Sequence, residues 1–150
     1  MKNKELDNID IKILNILQRD ARISLKDLAS KVYLSSPAVS ARIEALEKTG
    51  YILNYQAKIN YIKVGYNIKA MISLEVEPVE KETFYPYIKK CNNVIECNCV
   101  TGDYSMLLEV VFKNTMELDR FIGELQRFGR TKTLIVFSTS VENRGIKIGG

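Results

Sequence analysis

The sequence predicts an α+β protein with a winged helix-turn-helix at residues 1–50, a wing or hinge strand at 51–66, and a ferredoxin-like βαββαβ domain at 67–150. The first observation behind this prediction is a helical spacing of apolar residues, interrupted twice in the first 50 residues. The second is a change after residue 66 to strands that alternate with helices. The third is the charge: residues 1–64 carry 11 Lys and Arg against 7 Asp and Glu, and the remainder is neutral. A basic module on a neutral remainder favours an anionic partner for that module.

Two helices are predicted first in the N-terminal segment. LDNIDIKILNILQRD (6–20) repeats apolar residues at helical spacing, and Asp7 or Asp10 is expected near its N-terminal end. SLKDLASKV (24–32) is shorter, and a capping box at Ser24 is expected to open it. This second helix has to stop near residue 34, because a new cap follows at once.

The third helix carries small, polar and basic side chains on the face that should meet solvent. Ser35 or Ser36 is expected to cap it, Pro37 lies in its first turn, and Gly50 suits its end. The positions expected to face the core are Val39, Ile43 and Leu46. Small side chains allow close approach, and a helix fits the DNA major groove, which is about 12 Å wide. The pattern predicts a DNA-binding helix-turn-helix, with a plain three-helix packing unit and a solvated polar face as the alternative.

The rest of the chain predicts one linking strand and then a sheet with two helices on one face. YILNYQAKI (51–59) is expected to be a strand or small wing. Thr83 is expected to cap the first helix of the second domain, which puts Pro86 in its first turn, and Gly129 is expected to end the second. The predicted elements of this domain are a strand at 67–78, a helix at 81–94, strands at 94–102 and 104–114, a helix at 114–129 and a strand at 131–143.

The face of this sheet that the helices leave open predicts a partner chain. The strand at 104–114 has apolar residues on both faces, and such a strand needs cover on both. The domain is too short to supply a second layer, so we expect a homodimer through the sheet.

Several classes of site are disfavoured by composition. The chain has no His, no glycine-rich phosphate loop and no CxxC pair, so we expect no enzyme, no catalytic residue, no metal and no cofactor. Cys97 and Cys99 are expected to be buried small apolar residues on one face of a strand. No apolar run approaches the ~18 residues of a membrane span, and the N-terminus lacks a signal-peptide core, so we expect a cytoplasmic protein without a membrane partner.

The combination of these stretches resembles the Lrp/AsnC family, the feast/famine regulators of bacteria and archaea. The resemblance rests on residues 6–52, on YQAKINYIKVG, and on VTGDY in the second domain, and it covers nearly the full length. It implies a winged helix-turn-helix, a hinge strand, and a ligand-binding βαββαβ domain that forms dimers, commonly assembled further into octamers. It also implies binding to promoter DNA and a response to an amino acid or related metabolite.

Carried over by position, the resemblance implies a DNA-binding set of Ser35, Ser36, Pro37, Ser40 and Arg42. Serine hydroxyls and the helix N-terminus suit phosphates, and Arg42 is expected at a phosphate or a guanine edge. Further contacts with the DNA backbone are expected from Arg22, Lys31 and Lys48. The alternative for each is an ordinary solvated charge.

The resemblance also implies an effector pocket between second domains. Its residues here are Thr101, Gly102, Asp103, Tyr104, Arg130, Thr131, Thr133 and either Ser138 or Ser140. Gly102 permits close backbone approach and Asp103 suits an ammonium group, whereas a routine β-turn would need the same two residues. Many members carry a second acidic residue three positions after the glycine, where this chain has Ser105.

The sequence leaves three functions to consider. The first is a sequence-specific transcription regulator that senses an amino acid or related small molecule. The second is an architectural DNA-binding protein without an effector. The third, an enzyme or carrier based on the second domain, lacks the usual catalytic parts.

Overall fold

A computed structural model describes residues 5–149, which form two compact units. The helical unit comprises the chain up to Lys58 together with the segment from Val141 onward. The sheet unit comprises Ile59–Ser140. The C-terminal segment thus belongs to the helical unit, whereas the sequence placed it in the second domain.

Three helices build the helical unit, and each begins at the kind of polar residue that the sequence indicates. They are α1 (Asn8–Leu17), α2 (Leu25–Val32) and α3 (Ser36–Lys48). The capping side chains of Asp7, Ser24 and Ser35 accept hydrogen bonds from backbone N–H groups of the first turn. The caps at Ser24 and Ser35 were expected, and so was the turn at Gly50, where φ is +77°. For α1, the sequence indicated only that Asp7 or Asp10 lies near its N-terminal end.

The three helices enclose a small apolar core. Its buried members are Ile13, Leu14, Leu28, Ala29, Val32, Val39 and Leu46. Val39 and Leu46 are buried and Ile43 is partly buried, which confirms the predicted inner face of α3.

The strand or wing predicted at 51–59 is not present. This segment has no regular secondary structure and is almost wholly exposed. A strand forms only where a neighbouring strand takes up its backbone hydrogen bonds, and no such neighbour lies beside it in the described part of the chain. Its Tyr55 instead donates a hydrogen bond to Glu47 of α3 at 2.8 Å, which ties the linker to that helix.

The sheet unit confirms the predicted β-α-β-β-α-β order. Its elements are β1 (Ile68–Val76), α4 (Lys81–Ile88), β2 (Val94–Cys99), β3 (Met106–Phe112), α5 (Thr115–Leu125) and β4 (Gly129–Ile135). The strands form one antiparallel sheet in the order β2-β3-β1-β4. Asn114 caps α5 by accepting from the Glu117 N–H at 3.0 Å, as expected.

Both helices pack on one face of this sheet. The buried strand residues of that face are Ala70, Ile72, Leu74, Val76, Met106, Leu108, Val110 and Phe112, and they contact Phe84, Ile88, Leu118, Phe121, Leu125 and Phe128. We call the opposite side the open face; β1 and β4 contribute to it the pair Met71 and Leu134, which lie directly opposite each other. Leu134 is 56% exposed.

Four local predictions for this unit are wrong. Thr83 does not cap α4: a 3₁₀ turn at Pro78–Glu80 leads directly into the helix, so the helix begins earlier and Pro86 lies inside it. Helix α5 ends at Leu125, before Gly129, and β4 ends at Ile135, before residue 143. The fourth concerns Cys99, which is exposed near the end of edge strand β2, whereas Cys97 is half-buried against the core.

Gly129 has a different role from the helix end that was expected. It begins β4 with φ +151°, opposite Val76 of β1. A Cβ atom at Gly129 would lie 1.7 Å from the backbone carbonyl oxygen of Glu75. Only glycine therefore lets β4 approach β1 this closely.

We predict that Gly129→Ala destabilises the protein by about 3 kcal/mol, because the added methyl group meets backbone that cannot move aside. Urea denaturation followed by circular dichroism measures the change. The matched control is Gly123→Ala: this glycine lies within α5 with open space around its Cβ position, so the free energy of unfolding should rise by about 0.5–1 kcal/mol. Equal effects of the two substitutions would contradict the role of Gly129.

Candidate DNA-binding and effector sites

The outer face of α3 is the first candidate site, and its side chains are small. Pro37 and Ala41 are exposed one turn apart, and Glu44 follows on the same side. Ser36 and Ser40 are half-buried beside this stripe. Because the side chains at the centre of this face are small, the backbone of α3 can closely approach the wall of a DNA groove or a DNA backbone.

Ser35 is exposed, but its hydroxyl is already used within the protein. It accepts from the Ala38 N–H at 3.4 Å and so caps α3. Pro37 has no N–H. Among the described residues, few backbone N–H groups at the start of α3 are therefore left to bind an anion. An anion bound there would depend more on the Ser36 hydroxyl than on backbone N–H groups.

Arg42 lies in a place that the sequence did not indicate. Its guanidinium is 2.7 Å from the Asp7 carboxylate and 2.7 Å from the Asp10 carboxylate, both at the start of α1. The Asp10 side chain is fully buried, and that of Arg42 is only 26% exposed. Arg42 thus joins α3 to α1, whereas it was expected at a phosphate or a guanine edge.

The electrostatics favour the charged forms of Asp7 and Arg42. The pKa of Asp7 is lowered, first by the hydrogen bond from the Asp10 N–H and then by the hydrogen bond from Arg42. The pKa of Arg42 is raised by its hydrogen bonds to Asp7 and then to Asp10. The Asp7 contribution to stability is therefore present above its ordinary pKa and is lost as the pH falls through the lowered value.

Two exposed residues near α3 were not in the predicted DNA-binding set. Ala41 follows Pro37 by four residues, and that spacing alone would have indicated it. Tyr33 lies in the turn between α2 and α3 with φ +58°, and its side chain is 87% exposed. A left-handed tyrosine is uncommon, and the sequence carries no signal for it. Its ring centroid is 5.0 Å from the Lys12 Nζ atom.

The second candidate site surrounds the loop between β2 and β3. Thr101, Gly102 and Asp103 are exposed there, and Gly102 has φ +112°. The structure brings Tyr104 and Arg130 together, with the guanidinium carbon 5.0 Å from the ring centroid. Arg130 also forms an ion pair with Glu75 at 3.0 Å. The loop and the start of β4 therefore adjoin, as the predicted pocket requires.

The other predicted effector residues do not share that position. Thr131 and Thr133 pair with Leu74 and Ile72, so they lie on the helix-covered face, whereas Arg130 lies on the open face. Alternation along a strand causes this division. Ser138 lies beyond the end of β4, exposed and outside regular structure.

Ser105, which stands where many family members have an acidic residue, has a structural role. Its hydroxyl accepts from the Val76 N–H at 2.9 Å and its backbone N–H donates to the Leu74 carbonyl at 3.1 Å. Its carbonyl accepts from the Val100 N–H at 2.9 Å, which closes the base of the loop. Ser105 is thus engaged with the end of β1, and the loop presents Asp103 as its only carboxylate.

Residues 5–149 carry neither a metal-binding cluster nor a membrane-spanning helix. That part of the chain holds no group of three or more Cys, Asp or Glu side chains placed to bind a metal ion. No helix within it has the length and apolar character needed to cross a membrane.

Two family models match the chain, one for each unit. The winged helix-turn-helix DNA-binding model matches residues 6–52, and the Lrp/AsnC ligand binding domain model matches residues 69–146. The HTH-type transcriptional regulator LrpA of Bacillus subtilis is 32% identical over 132 residues, which cover 87% of this chain and 97% of the relative.

Solved structures extend this likeness to the fold. A Mycobacterium tuberculosis feast or famine regulatory protein, solved in complex with L-methionine, superposes with a TM-score of 0.90 at 26% identity. The match covers 96% of this chain and 100% of that one. A Neisseria meningitidis transcriptional regulator, also in complex with L-methionine, superposes with a TM-score of 0.86 at 25% identity, over 93% and 94% of the two chains.

We predict that Arg42→Ala destabilises the helical unit by about 2–3 kcal/mol, because it removes a cation from beside the buried Asp10 carboxylate. Thermal and urea unfolding followed by helical circular dichroism measure the loss. Arg22→Ala is the matched control: Arg22 is exposed in the turn before α2, and its loss should change stability by no more than about 0.5 kcal/mol. If the two variants unfold alike, Arg42 does not hold α3 to α1.

Proposed function

The chain belongs to the Lrp/AsnC family of transcription regulators, and we propose that it binds promoter DNA sequence-specifically and responds to an amino acid or a related small metabolite. Membership of the family makes the protein a DNA-binding transcription regulator with a ligand-binding domain, and not an enzyme. The operator preference and the effector are the proposal.

The low outer face of α3 is the observation that carries the DNA-binding part of the proposal. Pro37 and Ala41 let the helix backbone approach a groove, while Ser36 and Ser40 stand beside them with hydroxyl groups. The excess positive charge of the chain lies in the helical unit, which favours phosphate contact. Because Arg42 is paired with two carboxylates, we assign it to holding α3 in place, and base contact to the small residues and to Tyr33.

The loop between β2 and β3 supports the effector part of the proposal. Asp103 offers a carboxylate for an ammonium group, and Arg130, stacked on Tyr104, offers a guanidinium for a carboxylate. One anion and one cation near an aromatic ring suit a free amino acid. The two methionine complexes of similar fold support the same class of ligand. Thr101 and Gly102 belong to this proposed site by position; Thr131, Thr133 and Ser138 would contact an effector only from another part of an assembly.

The open face of the sheet supports a homodimer. Leu134 is exposed there opposite the half-buried Met71, and Leu107 adds a third apolar side chain from β3. The face also carries the Lys69–Glu109 ion pair at 2.7 Å, which can fix the register of a partner sheet. We propose that two chains pack through these faces and that such dimers assemble further, up to an octamer.

For DNA binding, we predict that the protein prefers DNA from upstream of its own gene over a scrambled duplex, and that one amino acid changes this preference. Fluorescence anisotropy with each of the twenty amino acids in turn measures both effects. Ala41→Glu should weaken binding at least 30-fold, because a carboxylate at the centre of the α3 face meets the phosphate backbone.

The control for Ala41→Glu is Met116→Glu, which makes the same charge change on the exposed first turn of α5. That variant should bind DNA like the wild type. Equal, tight binding to both duplexes that no amino acid alters would favour the architectural function. Full binding by Ala41→Glu would show that α3 does not enter the groove.

For assembly, we predict that Leu134→Glu reduces the mass of the particle in solution, because it puts a charge in the apolar part of the open face. Light scattering after size exclusion should give the wild type as an even multiple of the 17.1 kDa chain. The control is Val79→Glu, since Val79 is 84% exposed in the turn before α4 and does not belong to a strand of the sheet. A wild-type mass of one chain, or an unchanged mass for Leu134→Glu, would contradict the proposed interface.

A further inference from the structure

The C-terminal segment, residues 141–149, is fastened to helix α1 of the helical unit. The side-chain amide of Asn15 donates to the Ile148 carbonyl at 2.9 Å and accepts from the Ile148 N–H at 3.0 Å. The Gln18 amide donates to the Ile146 carbonyl at 3.0 Å. The Ile148 side chain packs against the core of the three helices. Asn15 of α1 and Gln18, which follows the helix, therefore hydrogen-bond to the backbone of this segment as a neighbouring strand would.

The close fit at Gly145 supports a defined position for the segment. A Cβ atom there would lie 2.0 Å from the Gln18 Oε1 atom and 2.8 Å from the Gln18 Cβ atom. The segment can approach α1 this closely only because residue 145 has no side chain.

Between the segment, the end of α1 and the linker lies a cleft of about 1130 Å³, which we call the tail cleft. Four cations line it: Arg19 from the end of α1, Lys58 from the linker, and Arg144 and Lys147 from the segment. Lys58 is paired with Glu142 at 2.9 Å. Among the described residues that line the cleft there is no carboxylate, and three side-chain amides, those of Gln18, Gln56 and Asn143, stand between the cations.

This composition suits phosphate groups. Arginine and lysine side chains bind phosphates by charge and by N–H donation, and amide side chains add further donors. The volume is larger than one phosphate needs, so an extended polyanion fits better than a single small ion. All the groups involved belong to the unit that binds DNA.

We propose that the tail cleft is a second DNA contact of the helical unit, in which Arg144, Lys147 and Arg19 bind backbone phosphates. The inference rests on the DNA binding proposed above for α3 and adds a partner surface to it. Phosphate contacts carry no sequence information, so the cleft adds affinity to operator and non-operator DNA alike.

The test is the salt dependence of DNA binding by the full chain. Each phosphate contact contributes about 0.9 to the slope of log affinity against log salt concentration. The double variant R144Q/K147Q should therefore lower the slope by about 2, and weaken binding to the upstream and the scrambled duplex by the same factor. Anisotropy titrations between about 50 and 400 mM KCl measure both quantities.

Two further variants make the result specific to the cleft. K89Q/K90Q removes two exposed lysines from the sheet unit, so it matches the change in net charge and should leave the slope within error of wild type. N15A keeps every charge but loses both hydrogen bonds to Ile148, and it should lower the slope in the same direction as R144Q/K147Q.

The outcomes separate this inference from the function on which it rests. Wild-type DNA binding together with an unchanged slope for R144Q/K147Q would overturn the tail cleft as a DNA contact and leave α3 in place. Absence of wild-type binding to either duplex would overturn the DNA binding of α3 itself. Calorimetric binding of inorganic phosphate, lost in R144Q/K147Q while the DNA slope stays unchanged, would assign the cleft to a free anion instead and also overturn the proposal.

Discussion

The helical unit depends on one ion pair between its first and third helices. Asp10 is fully buried, and a buried carboxylate costs several kcal/mol unless a cation and hydrogen bonds compensate for it. Arg42 provides that cation at 2.7 Å, so α3 has to present Arg42 toward α1. Successive residues of a helix are turned by about 100° from one another, and fixing Arg42 therefore fixes the rest of α3. Pro37 and Ala41 consequently lie on the outside, and the small outer face of α3 follows from a charge held inside.

The sequence predicted the caps and the inner face of α3 well, because those features depend on residues that are neighbours along the chain. A cap needs only Asp7, Ser24 or Ser35 a few residues before its N–H partners. Asp10, the partner of Arg42, is 32 residues away along the chain. From the sequence alone, an arginine on a polar helix face was therefore interpreted as a DNA contact. The missing strand at 51–59 has a similar cause, since a strand exists only with a neighbour and no local pattern supplies one.

In the sheet unit, the pairing of β4 with β1 decides which of the predicted effector residues share a face. The order of its strands and helices could be read from alternation and from the cap at Asn114, but the faces of β4 could not. Arg130 pairs with Glu75 and lies on the open face, while Thr131 pairs with Leu74 and lies under the helices. A set of consecutive strand residues cannot line one pocket of one chain, because alternate side chains point to opposite faces. The loop at Thr101–Tyr104 has no such restriction, and it is the part of the predicted effector site that the structure keeps together with Arg130.

The chain passes between the two units twice, once after Lys58 and once before Val141. The first connection is tied to α3 through Tyr55 and Glu47, and the second is tied to α1 through Asn15. Because Arg42 joins α3 to α1, both connections are fastened to one rigid group of helices. Turning α3 relative to α1 would separate the Asp10 carboxylate from its cation, which is the same loss that Arg42→Ala causes, so this ion pair also holds the two points of attachment in place relative to each other.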